Sequence, residues 1–199
     1  MASKIKVDQI QTIDGTGTIA LQNQLSGMTT ASLPALGAAQ MPTGSVIQVV
    51  QAVKTDRASF QTGSAFIDTG LSCSITPSST SSKILISTDV TLSSNTTSNY
   101  GVGIRILRGS TVVIQADAQT GRMLAHSIVA NGTNDDECST VHAQYLDSPN
   151  TTSATTYKIQ GSARDSVAWS INNAYDNQDS GTWFRANAIS TIILMEIAG

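Results

Sequence analysis

The sequence predicts an all-β protein, an antiparallel β-sandwich or jelly-roll head preceded by an extended N-terminal arm. From residue 44 onward, short segments of alternating apolar and polar residues recur roughly 8–15 residues apart, with turn-forming residues between them. No amphipathic helix pattern separates these segments, which disfavours a parallel sheet with crossover helices. Serine and threonine number 26 and 25 of 199 residues, and threonine suits the polar faces of strands.

Residues 1–43 differ in composition from the rest of the chain. They contain no aromatic residue and four charged ones, so they lack the bulky groups needed to build a core of their own. A turn signal at residues 14–17 separates two groups of apolar residues, which comprise Ile5, Val7, Ile10, Ile19 and Leu21. We therefore expect an arm over residues 1–43, ordered by a partner or by sister chains, and a head over residues 44–199.

The strands of the head are predicted from their apolar periodicity and from the turns that bound them. Alternation is clear where Leu71, Cys73 and Ile75 share one face, and Arg108 begins a tight turn into the next segment. The predicted strands cover residues 46–50, 71–76, 83–92, 102–106, 111–116, 123–129, 139–146, 155–161, 166–171 and 190–197.

Two of these segments, residues 46–50 and 192–197, are apolar on both faces. In an isolated sandwich only one face of each strand is buried, so a second apolar face indicates contact between subunits. We expect an oligomer, specifically a homotrimer, because compact β-sandwich heads commonly pack around a threefold axis. The predicted trimer interface consists of Val46, Val50, Ile193 and Met195.

Composition disfavours several classes of function. Charged residues make up 13% of the chain and the net charge is -3, which argues against binding to nucleic acid backbones. No apolar run approaches the roughly 20 residues of a membrane helix. The first residues alternate charged and apolar side chains rather than forming a secretion signal, so we expect synthesis in a cytoplasm. In that compartment Cys73 and Cys138 are expected to be thiols, with a disulfide as the less favoured alternative.

The search for catalytic motifs predicts a protein that is not an enzyme and that needs no cofactor or metal. His126 and His142 have no metal-binding spacing, and no phosphate loop or nucleophile elbow is present. The acidic residues 134–137 resemble a solvated loop more than a calcium loop. A glycosidase pair formed by Asp176 and Asp179 remains a weaker alternative.

One segment, residues 172–184, combines aromatic side chains with amides and carboxylates. Such surroundings suit carbohydrates, which offer an apolar ring face and many hydroxyl groups. Alternatively, Trp183 and Phe184 fill the edge of the sandwich. The predicted receptor loop consists of Tyr175, Asp176, Asn177, Asp179 and Trp183.

The sequence resembles bacteriophage fibre-like proteins, notably those of phages that infect cyanobacteria. The similarity lies in the opening residues 3–21 and in head segments 44–50, 68–77, 81–86 and 190–197. It implies a virion structural protein, made in the host cytoplasm and released by lysis, whose arm attaches to the particle through the five apolar residues named above. The expected partners are two further copies of the chain, a tail baseplate, adaptor or capsid protein, and a host surface glycan.

The resemblance leaves three functions open. The first is a short tail fibre that contacts the host surface. The second is a capsid decoration protein (a head fibre or cement protein), since no coiled-coil or triple-helical shaft separates arm from head. The third is a small hydrolase resembling a tailspike, which the missing catalytic motifs disfavour.

Overall fold

The computed structural model describes most of the predicted head, residues 44–199, and the last seven residues of the predicted arm, 37–43. The compact unit Gly37–Gly199 is all-β in its described residues apart from one 3-10 turn at Ala38–Gln40, and its two antiparallel sheets pack together, which confirms the predicted sandwich. The described residues are 37–61, 63–95, 101–118, 120–130, 138–164, 167–174 and 187–199.

Eleven strands are present in the described residues. In chain order they are β1 Val46–Lys54, β2 Ala58–Phe60, β3 Ile67–Ile75, β4 Lys83–Ser94, β5 Gly101–Arg108, β6 Thr111–Val112, β7 Ser127–Ala130, β8 Ser139–Asp147, β9 Thr155–Ala163, β10 Trp169–Ile171 and β11 Ser190–Ile197.

Sheet A is built around the long strand β4. One side of β4 pairs with β11 and, further along, with β10, while its other side pairs with β8. Strands β1 and β2 complete the sheet by pairing with β11 and β10. Because β11 and β10 share one side of β4, sheet A is four strands wide although it contains six strands. Strand β8 forms one edge, and β1 and β2 form the other.

Sheet B has the order β3, β9, β5. The side of β5 that does not face β9 pairs with both β6 and β7. Strand β9 lies in the middle and pairs with β3 and β5 over most of its length. All strand pairs in both sheets are antiparallel.

The core lies between the sheets and is formed by the inward-facing side chains of both. Its largest fully buried members include Trp169, Tyr157 and Leu194. Trp169 stacks on Phe60 with ring centroids 4.4 Å apart. The hydroxyl of Tyr157 donates to Asp147, which also accepts a hydrogen bond from an arginine of β5. Burial and the Asp147 carboxylate raise the pKa of Tyr157 above its usual value of 10.0, so this phenol stays protonated.

The sandwich has two distinct ends. The chain enters β1 and leaves β11 at the same end, where the amide of Gly44 donates to Ala198 O and the amide of Ala198 donates to Ser45 O, both at 2.8 Å. We call this the entry end. The opposite, far end contains the last residue of β4, Ser94, and the first of β5, Gly101. The residues that lead directly into β1 therefore lie at the entry end.

Several predicted strands match the observed ones closely. Strand β11 has the predicted bounds, and β4 and β9 each extend two residues further. The predicted strand over residues 123–129 was wrong in its first half, because β7 begins only at Ser127, and the strand predicted over 111–116 ends at Val112. Strand β2 was not predicted, since three residues are too few to show a period.

Candidate assembly surface

The outer face of sheet A carries an apolar row that crosses four strands. The Cα register pairs Val49 with Met195, Met195 with Leu85, and Leu85 with Leu146, which places one residue of each strand in the row. Val49 and Leu146 are 55% and 45% exposed. A lone sandwich normally presents polar side chains at such positions, so this row is a candidate site of contact with another molecule.

Further apolar side chains widen the row. Val46 and Val53 lie on the outer side of β1 and are 49% and 47% exposed, respectively. Ile193 and Ile197 lie on the outer side of β11 and are half-buried. Together with the row, these residues make up what we call the outer face of sheet A.

A β-bulge decides which residues of β1 reach this face. The register shifts between Val46 and Gln48, so that Val46 opposes Ile197 while Gln48 opposes Glu196. In a regular strand without a bulge, positions 46, 48 and 50 would all lie on one face of the sheet. With it, Val46 lies on the outer face and Val50 packs against the core.

The outer face of sheet A carries few charged groups. His142 on β8 lies 2.8 Å from Asp89 on β4, measured from Nδ1 to Oδ1, and both side chains are about half exposed. Gln144 donates to Ser87 in the neighbouring row. Lys83 at the entry end adds one further exposed charge. A face with so few charges can approach an identical copy without strong repulsion.

The outer face of sheet B is polar along β3 and β9 and provides an internal comparison there. Lys158 and Gln160 of β9 donate to the carboxylate of Asp68 on β3 at 2.8 and 2.6 Å. These hydrogen bonds lower the pKa of Asp68. Ser74 and Thr156 join the same two strands through their hydroxyl groups. Toward β5 and β7 the same face has apolar residues, including Ile128, which is 59% exposed. Among the described residues, the apolar row that crosses four strands lies on sheet A.

Buried polar groups at the entry end hold β1 and β11 together. The carboxylate of Glu196 is fully buried and accepts hydrogen bonds from the side chain of Gln48, from the amide and hydroxyl of Ser78, and from the hydroxyl of Ser82, at 2.6–2.7 Å. Burial alone would raise the pKa of Glu196, but these donors outweigh it and lower the pKa. The carboxylate fixes the register of β1 and β11, the two strands that carry most of the apolar residues on the outer face of sheet A.

The sequence-predicted site residues fall into three groups. The predicted attachment residues, Ile5 to Leu21, and the predicted receptor loop, Tyr175 to Trp183, lie outside the described residues. Of the predicted trimer interface, Val46, Ile193 and Met195 lie on the outer face of sheet A, and Val50 lies on the inner face. The sequence reasoning missed Leu85 and Leu146, whose strands alternate and gave no signal of a second apolar face until the register aligned them.

Asn172, the first residue of the segment 172–184 predicted to bind carbohydrate, instead stabilises the fold. Asn172 is buried, and its amide nitrogen donates to the carbonyl oxygens of Lys54 and Asp56 at 2.8 and 3.0 Å. Its amide oxygen accepts from the hydroxyl of Ser190 at 2.6 Å. Asn172 therefore ties the end of β1 to the start of β11, and it is not available as a surface ligand.

Of the other candidate residues, the acidic residues 134–137 and the pair Asp176 and Asp179 lie outside the described residues. In the described part of the chain no three His, Cys, Asp or Glu side chains are grouped to hold a metal ion. Cys73 and Cys138 are not joined by a disulfide, and burial raises the pKa of Cys73. Burial also lowers the pKa of His126, which keeps it neutral. Among the described residues no helix is long and apolar enough to cross a membrane.

Comparison with known proteins assigns no family. No family model matches the chain, and no curated protein matches it either. Among solved structures, that of infectious bursal disease virus, Gx strain, aligns with a TM-score of 0.41 and 13% identity, over 84% of this chain and 42% of that chain. The chain thus spans less than half the length of that viral chain, and we transfer no function from it.

Proposed function

We propose that this protein is a non-enzymatic structural component of a bacteriophage virion, and specifically a short tail fibre. Its arm, residues 1–43, attaches to the particle, and its head, residues 44–199, forms a homotrimer that contacts the host surface. The observation that carries the proposal is the apolar outer face of sheet A, because a surface of this kind serves assembly. The sequence resemblance to phage fibre-like proteins supports the virion as the place of assembly.

The geometry of the head suits a second and third copy of the same chain on this face. Two sheets that pack face to face interdigitate apolar rows about 10 Å apart, and the row of Val49, Met195, Leu85 and Leu146 offers such a surface. An assembly axis along the strands would gather all entry ends on one side. Three arms would then leave toward the particle together, and three far ends would point away from it.

A capsid decoration protein is the second candidate. The favouring observation is that no coiled-coil or triple-helical shaft lies between arm and head in the sequence, and a protein bound flat on a capsid needs none. Such a protein would have the same head, with its arm running over the capsid shell.

Immunogold labelling of virions with an antibody against the head distinguishes the two candidates. We expect gold particles at the tail. Label over the capsid would reject the fibre and support decoration, and particles without label would reject both. Virions of a phage that encodes the chain without residues 1–43 should lose the label, since the arm is the proposed attachment segment.

A further inference from the structure

A cavity of about 520 Å³ opens on sheet B, the sheet that does not carry the apolar row. Three separate segments and one strand meet there: the residues before β3, strand β5, the connection between β6 and β7, and the residue after β9. Because β3 begins and β9 ends near the far end, the cavity lies toward the far end of the head. It is lined by Ser64, Phe66, Arg105, Gln115, Gly121, Arg122, Met123, Leu124 and Arg164.

The lining is strongly cationic for a chain with a net charge of -3. The sequence has six arginines, and three of them, Arg105, Arg122 and Arg164, line this one cavity. Among its described lining residues there is no carboxylate. Guanidinium groups bind carboxylates and phosphates through paired hydrogen bonds, so the lining favours an anionic ligand.

Arg105 is held in place before any ligand binds. Its Nε and Nη2 donate to Oε1 of Gln160 at 2.9 and 2.7 Å, and its guanidinium lies 4.3 Å from the ring centre of Phe66. Gln160 in turn donates to Asp68 at 2.6 Å, which fixes the orientation of the amide. Nη1 of Arg105 has no acceptor among the described residues, so the two N–H groups of this nitrogen remain for a ligand.

The cavity also has an apolar wall. Met123 packs directly against Gly103 of β5, where a side chain on residue 103 would collide with the Met123 side chain. Leu124 continues this wall. A ligand that matches the cavity therefore combines an anionic group with a body that has an apolar face and hydrogen-bonding groups. The volume is in the range of small-molecule sites.

We propose that this cavity binds an acidic saccharide, with its anionic group on Arg105, Arg122 and Arg164 and its sugar ring against Met123 and Leu124. The biological role of this site rests on the proposed function, in which the far end of the head meets the host surface. Binding itself is independent of where the protein sits in a particle. Because the cavity is on sheet B, packing of copies through sheet A leaves it open.

The test is a titration of the full-length protein labelled with ¹³C at its methionine methyl groups. Met123 lines the cavity and Met195 lies on the opposite sheet, so the two signals report the site and an internal control. The probes are glucuronate, glucose 6-phosphate and glucose, which share a ring and differ in charge. We expect glucuronate and glucose 6-phosphate to shift the Met123 signal and leave the Met195 signal unchanged, and the tighter of the two identifies the preferred anion.

The variant Arg122→Gln should weaken the binding of either anionic probe at least about tenfold, since a hydrogen bond to a charged group is lost. Arg122 is exposed at the rim, so the variant keeps its fold, which an unchanged Met195 signal verifies. The matched variant Arg57→Gln, outside the cavity, should bind like the wild type. An unshifted Met123 signal, equal shifts with glucose, or full affinity in Arg122→Gln would each overturn the proposal. If one of these titration results is obtained while the immunogold label is found at the virion tail, the saccharide site is rejected and the proposed tail-fibre role is retained.

Discussion

At the scale of single residues, Glu196 is the least expected feature of the head. Its strand, β11, is apolar on both faces apart from this carboxylate, and the alternation places it inward with Leu194. A buried carboxylate is costly unless donors replace its water. Gln48, Ser78 and Ser82 supply four hydrogen bonds, which join β1, the turn before β4, and β11 at the entry end.

We predict that Glu196→Gln destabilises the head by about 2–3 kcal/mol at pH 7, because one acceptor oxygen becomes an amide that faces buried donors. The pKa of Glu196 is lowered from 4.5 in the folded protein. The carboxylate therefore stabilises the fold fully above about pH 4.5, and this contribution is lost as the pH falls through the lowered pKa. The difference between wild type and variant should narrow on acidification from pH 7 to pH 3.5.

Urea unfolding at a fixed protein concentration, followed by tryptophan fluorescence, measures this difference. Asp117→Asn is the control, because Asp117 is an exposed carboxylate whose replacement should change stability little at either pH. Equal unfolding free energies of Glu196→Gln and wild type at pH 7 would show that the hydrogen bonds do not stabilise the head.

At the scale of elements, the contact between the two sheets depends on a glycine. Gly161 of β9 lies opposite the indole of Trp169 on β10, and an added Cβ would overlap Cη2 of the ring and lie 3.0 Å from Cζ2 and Cζ3. Trp169 cannot move away, since it is fully buried and stacked on Phe60. The absence of a side chain at position 161 is what allows the largest core residue to fit.

We predict that Gly161→Ala costs about 1–3 kcal/mol of stability through overpacking. In Trp169→Phe the overlapping ring atoms are gone, so the double variant should be more stable than the sum of the single effects by about 0.5 kcal/mol or more. Trp169→Phe is a clean partner for this cycle, because Nε1 of Trp169 has no hydrogen-bond acceptor among the described residues. Strictly additive effects in thermal or urea unfolding would contradict the packing explanation.

The strands show how far periodicity alone can predict this fold. β11 was predicted with its observed bounds because residues 192–197 form a continuous, mostly apolar run of strand-forming residues. In β1 the same reasoning placed Val46 and Val50 on one face, but the bulge at Ile47 reverses the sides. A bulge is defined by the pairing with the neighbouring strand, so the sequence of one strand alone does not predict its position.

The candidate sites were less predictable than the strands. Arg105, Arg122 and Arg164 are far apart in sequence and belong to different elements, so only the packing of sheet B brings them to one cavity. Leu85 and Leu146 likewise look like ordinary members of alternating strands. Their importance appears when the register places them in one row with Val49.

At the scale of the whole molecule, the head separates its surfaces by face and by end. The apolar row lies on sheet A and the cationic cavity on sheet B. The chain enters β1 at the entry end, and the cavity lies toward the far end. A homotrimer formed through sheet A, as proposed, would keep attachment, assembly and ligand contact on separate surfaces of one small domain.

We predict that lysine at Val49 or Leu146 dissociates the oligomer to monomers, because each copy would have to bury an unpaired charge in the apolar row. Both positions are about half exposed in the single chain. The substitution should therefore change the unfolding free energy of the monomer by no more than about 0.5 kcal/mol, as is usual for a surface residue. Light scattering coupled to size exclusion measures the mass. Ser74→Lys, at an exposed position of sheet B, should keep the mass of the wild type. A wild-type protein that is monomeric at all concentrations, or Val49→Lys and Leu146→Lys proteins that keep the oligomeric mass, would show that copies do not meet on the outer face of sheet A.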